Sequence, residues 1–198
     1  MNYAIIGFGK IGQALAKAFA RNGIAVSVAT TRDPERFASD AAAIGPEIVP
    51  TTLAQALKAD IVLLAVRFES HSAVAKALPT WKGKIIVDAM NTLASTEELD
   101  GFPSSAVVAK AFTGARLVKG FNHLAAAVLA QDPAVHGGKR VVFLASDNED
   151  AAAQVGTLAE SLGFAPIPLG GLSEGGLLVH ALGGSWGHLI FKDLVKFN

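Results

Sequence analysis

Two short clusters carry most of the chemistry legible in this sequence. The first, Gly7-Phe8-Gly9-Lys10-Ile11-Gly12, has the spacing G-x-G-x-x-G. Each glycine in such a turn has its own role. Gly7 permits the tight bend, Gly9 lets the backbone approach a pyrophosphate, and Gly12 lets a helix pack closely on a strand. Lys10 and Ile11 stand where the first free N–H groups of that helix would face an anion, with the helix dipole in support. The pattern means little alone. It gains meaning by following an apolar run, Tyr3 to Ile6, and opening an amphipathic one.

The second cluster is Thr30-Thr31-Arg32, directly after the apolar run Ala25 to Ala29. A site for NAD would place an acidic residue here to accept bonds from the ribose 2′-OH. The first acid is Asp33, after Arg32. Two hydroxyls and a guanidinium suit a 2′-phosphate instead, because Arg binds phosphate bidentately and stacks on flat rings. Arg36, one helical turn further on, is placed to assist. The expected cofactor is therefore NADP(H).

The elements that must position these residues follow from hydrophobic patterning. Short, Val- and Ile-rich runs without alternation recur at Tyr3–Ile6, Ala25–Ala29, Ile61–Val66, Lys84–Asp88, Leu117–Phe121, Val141–Ala145 and Ala165–Leu169. Such runs read as parallel strands covered on both faces. Ile11, Ala14, Leu15, Ala18 and Phe19 form one helical stripe. Asp33-Pro34 is a helix start, Ser70 to Leu78, His123 to Gln131 and Asn148 to Leu162 read as helices, and Gly163 as a C-cap. Strand and helix alternate to the end. The predicted fold is α/β: a Rossmann-type doubly wound, mainly parallel sheet with a small C-terminal α/β extension. Residues 1–198 are expected to form a single NADP-binding Rossmann domain, with a small acceptor-site lobe from about 115 to 198.

Ligands of open α/β sheets lie beyond the carboxyl ends of the strands, which selects three further loops. Val66 and Arg67 should run beside the ribose and phosphates. Ala89 and Asn91 follow the next strand, and Asn91 reads either as an amide holding the nicotinamide end or as a turn former. The third loop is Phe121-Asn122-His123-Leu124; its Asn122 and His123 should lie near the ring where a hydride acceptor stacks, although His123 reads equally as a helix cap. The glycine-rich stretch from Leu169 to Gly187 carries Trp186. It reads either as the lining of a planar-ring pocket or as loop and dimer contact.

Composition excludes several classes. The 198 residues are 51% apolar and 17% charged with net charge zero, and no basic run suggests nucleic acid. There is no cysteine, so thiolate chemistry and disulfides are out. No apolar run approaches the roughly 20 residues of a membrane span, and no signal peptide is evident, so a cytoplasmic protein is expected. The histidines (His71, His123, His136, His180 and His188) have no metal-ligand spacing with acidic support, so no metal is expected. The only tyrosine, Tyr3, lies inside the first strand and rules out a Tyr-x-x-x-Lys pair. No catalytic acid-base residue stands out. That absence fits hydride transfer between stacked rings, which depends chiefly on positioning. The high apolar fraction and the run Leu189-Ile190-Phe191 suggest a homodimer.

These segments together give the chain a family resemblance. It resembles the NADPH-dependent coenzyme F-420 (deazaflavin) reductases, whose related domains serve as NADPH:flavin reductase modules in metalloreductases. The resemblance rests on the glycine turn, Thr30-Thr31-Arg32, Asp88-Ala89-Met90-Asn91 and Val118-Lys119-Gly120-Phe121-Asn122-His123-Leu124. It continues in Leu162 to Pro166 and Leu169 to Leu178. It implies that the glycine turn, Thr31 and Arg32 hold NADP(H), and that Phe121 to Leu124 help form the nicotinamide and acceptor site. The acceptor implied is coenzyme F-420, FMN or FAD. Two departures bear on the acceptor. Val66-Arg67-Phe68 stands where members often have Val-Pro-aromatic, and Asn91-Thr92 where many have Asn-Pro. The alternative to an NADPH-dependent reductase is a non-catalytic NADP(H)-binding module that senses redox state or regulates a partner.

Overall fold

The structure, a computed structural model, describes residues 1–95, 97–135, 137–180 and Trp186. Among them an eight-stranded sheet runs in the order β10-β9-β6-β5-β4-β1-β2-β3. The strands are β1 (Tyr3–Ile6), β2 (Val26–Ala29), β3 (Ile48–Pro50), β4 (Ile61–Leu64), β5 (Ile85–Asp88), β6 (Arg116–Gly120), β9 (Val141–Ala145) and β10 (Ala165–Pro168). A separate hairpin pairs β7 (Ala134–Val135) with β8 (Gly138–Lys139). Strands β3 through β6 on either side of β1 are parallel. β9 then pairs antiparallel with β6, and β10 runs parallel to β9. The Rossmann-type, mainly parallel sheet is thus extended at its C-terminal side by a β-α-β unit.

The absence of alternation in the strands has its cause in two cores. Along β4, Ile61 and Leu63 enter one hydrophobic cluster while Val62 and Leu64 enter the other. Along β5, Ile85 and Val87 face the first and Ile86 the second. The first core is closed by α1 (Lys10–Arg21) and α7 (Glu149–Ser161), through Leu15, Phe19, Val155 and Leu158. The second is closed by α3 (Leu53–Ala56), α4 (His71–Ala75) and α5 (Ser104–Ala111), with Trp81 and Phe112 edge to face at 4.7 Å. Short helices α2 (Ala38–Ala42), α6 (Ala126–Leu129) and α8 (Gly175–Leu178) are the remaining α-helices among the described residues.

Several elements differ from the sequence expectation. Edge strand β3, with helices α3 and α5, is not legible in the sequence: three residues beside Gly45 and Pro46 carry too little pattern to read. The expected helix at Ser70 to Leu78 is a 3-10 turn, Phe68–Ser70, followed by the short α4. That expected over His123 to Gln131 shrinks to α6, because the chain from Phe121 to Leu124 is packed into the core before any helix begins. The helix start at Asp33-Pro34 is a 3-10 turn, Pro34–Phe37, leading into α2. Asn148 caps α7, accepting from Ala151 N at 2.8 Å, and Gly163 follows it at φ +90°. On edge strand β10, Ala165 and Leu169 donate inward to β9 and its approach. Pro166 and Pro168 alternate with them and remove N–H groups from the free edge, so it resists pairing with another strand. No helix among the described residues is long and apolar enough to cross a membrane. Leu189-Ile190-Phe191, Gly183 to Ser185, Gly187, His136 and His188 lie outside the described residues.

Candidate dinucleotide site

The glycine turn is built as the physics of its spacing requires, and its three glycines answer to different neighbours. Gly7 sits at φ +104°, and a Cβ there would lie 2.4 Å from the Ala65 carbonyl oxygen. At Gly12 a Cβ would lie 2.0 Å from the Gly7 carbonyl oxygen. Both positions are therefore forced by the protein's own backbone. A Cβ on Gly9 would meet nothing within 4 Å. Gly9 has an ordinary extended conformation, φ −80° and ψ −164°, so the fold places no demand on it. What a side chain there would obstruct is an incoming ligand, which is the approach a pyrophosphate needs. Gly9 is the N-cap of the twelve-residue α1, and no acid stands in its first turn to compete for the N–H groups of exposed Lys10 and half-buried Ile11.

A hollow of about 560 Å³ opens over this turn. It is lined by Gly7 and Gly9, by Thr30 and Thr31 after β2, and by Ala65, Val66 and Arg67 after β4. Leu53, Ser70, Ala73 and Val74 close it. Arg67 is the charged residue of this lining; its guanidinium is 3.6 Å from the Glu69 carboxylate, with both side chains largely in water. Arg67 also borders a second hollow of about 400 Å³, with Phe68, Asn91, Thr92 and Leu93. The two adjoin there, so the ends of β1, β2, β4 and β5 share one continuous rim. A groove of about 490 Å³ between α7 and β10 lies elsewhere and holds none of the predicted residues.

At the end of β2, the Thr30 Oγ1 accepts from Arg32 N at 2.9 Å and shapes the turn. The Arg32 guanidinium lies over the Phe37 ring, 5.6 Å from its centroid, and Phe37 packs on Phe8 at 5.5 Å. Phe8, inside the glycine turn, thus supports the platform that orients Arg32, a stacking worth about 0.5–1 kcal/mol at an exposed site. Arg36 is exposed on the following turn. Sequence reasoning misses Phe37, though an aromatic five residues beyond an Arg is an available signal.

Beyond β5 and β6 the predicted residues divide. Asn91 is exposed and lines the second hollow. Its Nδ2 donates to the Asn122 carbonyl at 2.8 Å, and its Oδ1 accepts from Asn122 Nδ2 at 3.2 Å. Asn122 Nδ2 also donates to the Val179 carbonyl at 2.8 Å. Two acceptors on one nitrogen settle which way this amide points. Ala89, Asn122, Phe121, His123 and Leu124 are all buried. Phe121 and Leu124 belong to the first core, with Phe121 edge to face on Phe164 at 5.9 Å. None of Phe121, His123 and Leu124 lines either hollow. His123 stacks on Phe143 at 4.9 Å, and Phe143 on half-buried Trp186 at 5.2 Å. Burial pushes the His123 imidazole down to about 4, against a weaker upward pull from the Val141 carbonyl, and neither ring nitrogen has a partner in hydrogen-bond geometry. His123 is therefore neutral at pH 7.

Known proteins share this fold. Residues 2–92 match the family described as NADP oxidoreductase, coenzyme F-420-dependent. Over that stretch, just under half of its length, the chain is similar to this NADP oxidoreductase family. The match spans β1 to β5 and so includes the glycine turn, the end of β2 and Asn91. A hypothetical protein of Sinorhizobium meliloti superposes with TM-score 0.91 at 39% identity, covering 98% of this chain and 96% of that one. A candidate F-420-dependent NADP-reductase of Arthrobacter sp. FB24 follows at TM-score 0.70 and 27% identity, over 87% and 86% of the two chains. Human metalloreductase STEAP2 is 31% identical over 174 residues, 86% of this chain but 33% of its own length. The chain thus spans about a third of such curated relatives. An NADPH-bound reductive aminase of Aspergillus terreus, 19% identical at TM-score 0.63, shares the fold over 88% of this chain and 56% of its own.

Proposed function

We propose that this protein is a member of that oxidoreductase family and an NADPH-dependent reductase that passes hydride to a planar deazaflavin or flavin ring, coenzyme F-420, FMN or FAD. The observation that carries the cofactor half is the end of β2. Hydroxyls and a guanidinium held on Phe37 stand where a carboxylate would select NAD. Open space at Gly9, bounded by glycines the backbone itself demands, fits a dinucleotide diphosphate.

When bound, NADPH supplies the hydride. In this reading Gly7, Gly9, Lys10, Ile11 and Gly12 hold the diphosphate through backbone N–H groups. Thr30, Thr31, Arg32 and Arg36 take the 2′-phosphate. Val66 and Arg67 flank the phosphates, and Ala89, Asn91 and Asn122 shape the seat of the nicotinamide. Phe121, His123 and Leu124 support the acceptor side from within the core, and Trp186, whose ring packs on Phe143, is in this reading the aromatic that would meet the acceptor ring. The reading makes the protein a cytoplasmic homodimer. Support for the dimer is the 51% apolar composition.

A second reading, a non-catalytic NADP(H)-binding module that reports redox state to a partner, draws on the burial of Phe121, His123 and Leu124. One experiment separates the two. The protein is mixed with NADPH and, in turn, FMN, FAD and a deazaflavin, and loss of dihydronicotinamide absorbance is followed. Turnover with one of them is expected. Tight NADPH binding without oxidation by any acceptor would favour the second reading and sink the first.

A further inference from the structure

One buried pair of charges lies directly behind the nicotinamide seat. Asp88 ends β5 and Lys119 is its register partner on β6. Their side chains are 0% and 2% exposed, with Lys119 Nζ 3.1 Å from Asp88 Oδ2. The remaining bonds of the pair converge on one residue. Lys119 Nζ donates to the Met90 carbonyl at 2.6 Å, and Asp88 Oδ1 accepts from Met90 N at 3.0 Å. Met90 therefore has both backbone polar groups held by opposite charges. The next residue is Asn91, cross-tied to Asn122, which is tied in turn to Val179. Beside Asn122, Phe121 is held at φ +61°, a backbone conformation a bulky residue adopts only when its surroundings impose it.

Stability alone is a poor reason for this arrangement. A buried ion pair loses much of its attraction to desolvation, and apolar residues of similar volume often serve the fold as well or better. What apolar residues cannot do is hold an N–H and a C=O of one peptide segment in a set direction. We infer that Asp88 and Lys119 are positioning residues, a clamp on Met90 that makes Asn91 and Asn122 one rigid ledge for the nicotinamide end of the cofactor. This rests on the NADP(H) reading above.

The test uses two ligands of the full-length protein, NADP⁺ and 2′,5′-ADP, which keeps the 2′-phosphate but lacks the nicotinamide. The wild-type protein should bind both; failure to bind 2′,5′-ADP would overturn the NADP(H) reading itself rather than the clamp. In the double variant Asp88→Asn with Lys119→Met, NADP⁺ should bind about tenfold more weakly, the scale of one lost hydrogen bond, with 2′,5′-ADP unchanged. Equal losses for both ligands, or none for either, would overturn the clamp. Asn91→Ala disturbs no buried charge and guards against a variant that fails to fold. It should show the same selective loss, and unaltered NADP⁺ affinity there would refute the ledge.

Discussion

Alanine at Gly9 and alanine at Gly12 should fail in opposite ways, although the two glycines are three residues apart in one turn. At Gly12 the new methyl would sit 2.0 Å from the Gly7 carbonyl oxygen and 2.9 Å from its carbon. Both are backbone atoms, which cannot rotate away. The cost belongs at the upper end of the 1–3 kcal/mol typical of overpacking, or a fall in Tm of roughly 6–12 °C at about 2–4 °C per kcal/mol for a chain of this size. At Gly9 the methyl meets no protein atom within 4 Å, and φ −80° suits alanine. Two small effects then oppose: a stiffer unfolded chain stabilises by about 0.4–1 kcal/mol, and loss of an N-cap glycine costs an amount of the same order, about 0.5–1 kcal/mol. Tm should move by less than about 3 °C in either direction. The methyl would nonetheless project toward the diphosphate, so NADPH affinity should fall by more than about tenfold. Thermal unfolding followed by fluorescence, with NADPH titration of each folded variant, measures both quantities. The reasoning is refuted if Gly9→Ala unfolds as early as Gly12→Ala, or if it binds NADPH like the wild type.

Further outcomes follow from the same structure. Arg32→Ala should weaken NADPH by more than about 1.5 kcal/mol, as for lost charge-assisted bonds, and hardly affect NADH; equal losses in a paired titration would show that Arg32 does not meet the 2′-phosphate. His123 binds its proton near pH 4 when folded and near 6.5 when unfolded. The unfolded chain therefore takes up more protons in that window, and stability should decline as pH falls from 6.5 toward 4, by about 3 kcal/mol from this residue at about 1.4 kcal/mol per pH unit. Denaturant unfolding across that range should show a shallower decline in His123→Leu, and parallel profiles would contradict the burial argument. Light scattering should return twice the monomer mass, and a monomer would refute the dimer.

The sequence by itself determined the half of the candidate site built around the glycine turn. Gly7, Gly9 and Gly12 are spaced so that each backbone requirement can be assigned from the spacing alone, and Thr30-Thr31-Arg32 follows its strand directly. Both are local: a turn, a strand end and a helix start fit within about thirty consecutive residues. The strands themselves were legible because burial on both faces makes them continuously apolar, as Ile61 to Leu64 divide between two cores.

Only the tertiary structure decided matters of pairing and depth. The direction of β9 leaves no trace in Val141 to Ala145, since a buried strand has the same composition whichever way it runs. Phe121, His123 and Leu124 lie at a strand's carboxyl end, where ligands gather, yet their burial depends on Phe143, Phe164 and the chain near Val179, all distant in sequence. Lys119 is the sharpest instance. A lysine in a strand reads as a solvent contact, and nothing nearby in sequence reveals that β5 brings Asp88 alongside it. The glycine turn could be read from the sequence because its partners are its own neighbours. The ledge at Asn91 and Asn122 joins residues 31 positions apart, and a third segment at Val179, so it existed only once the sheet had formed.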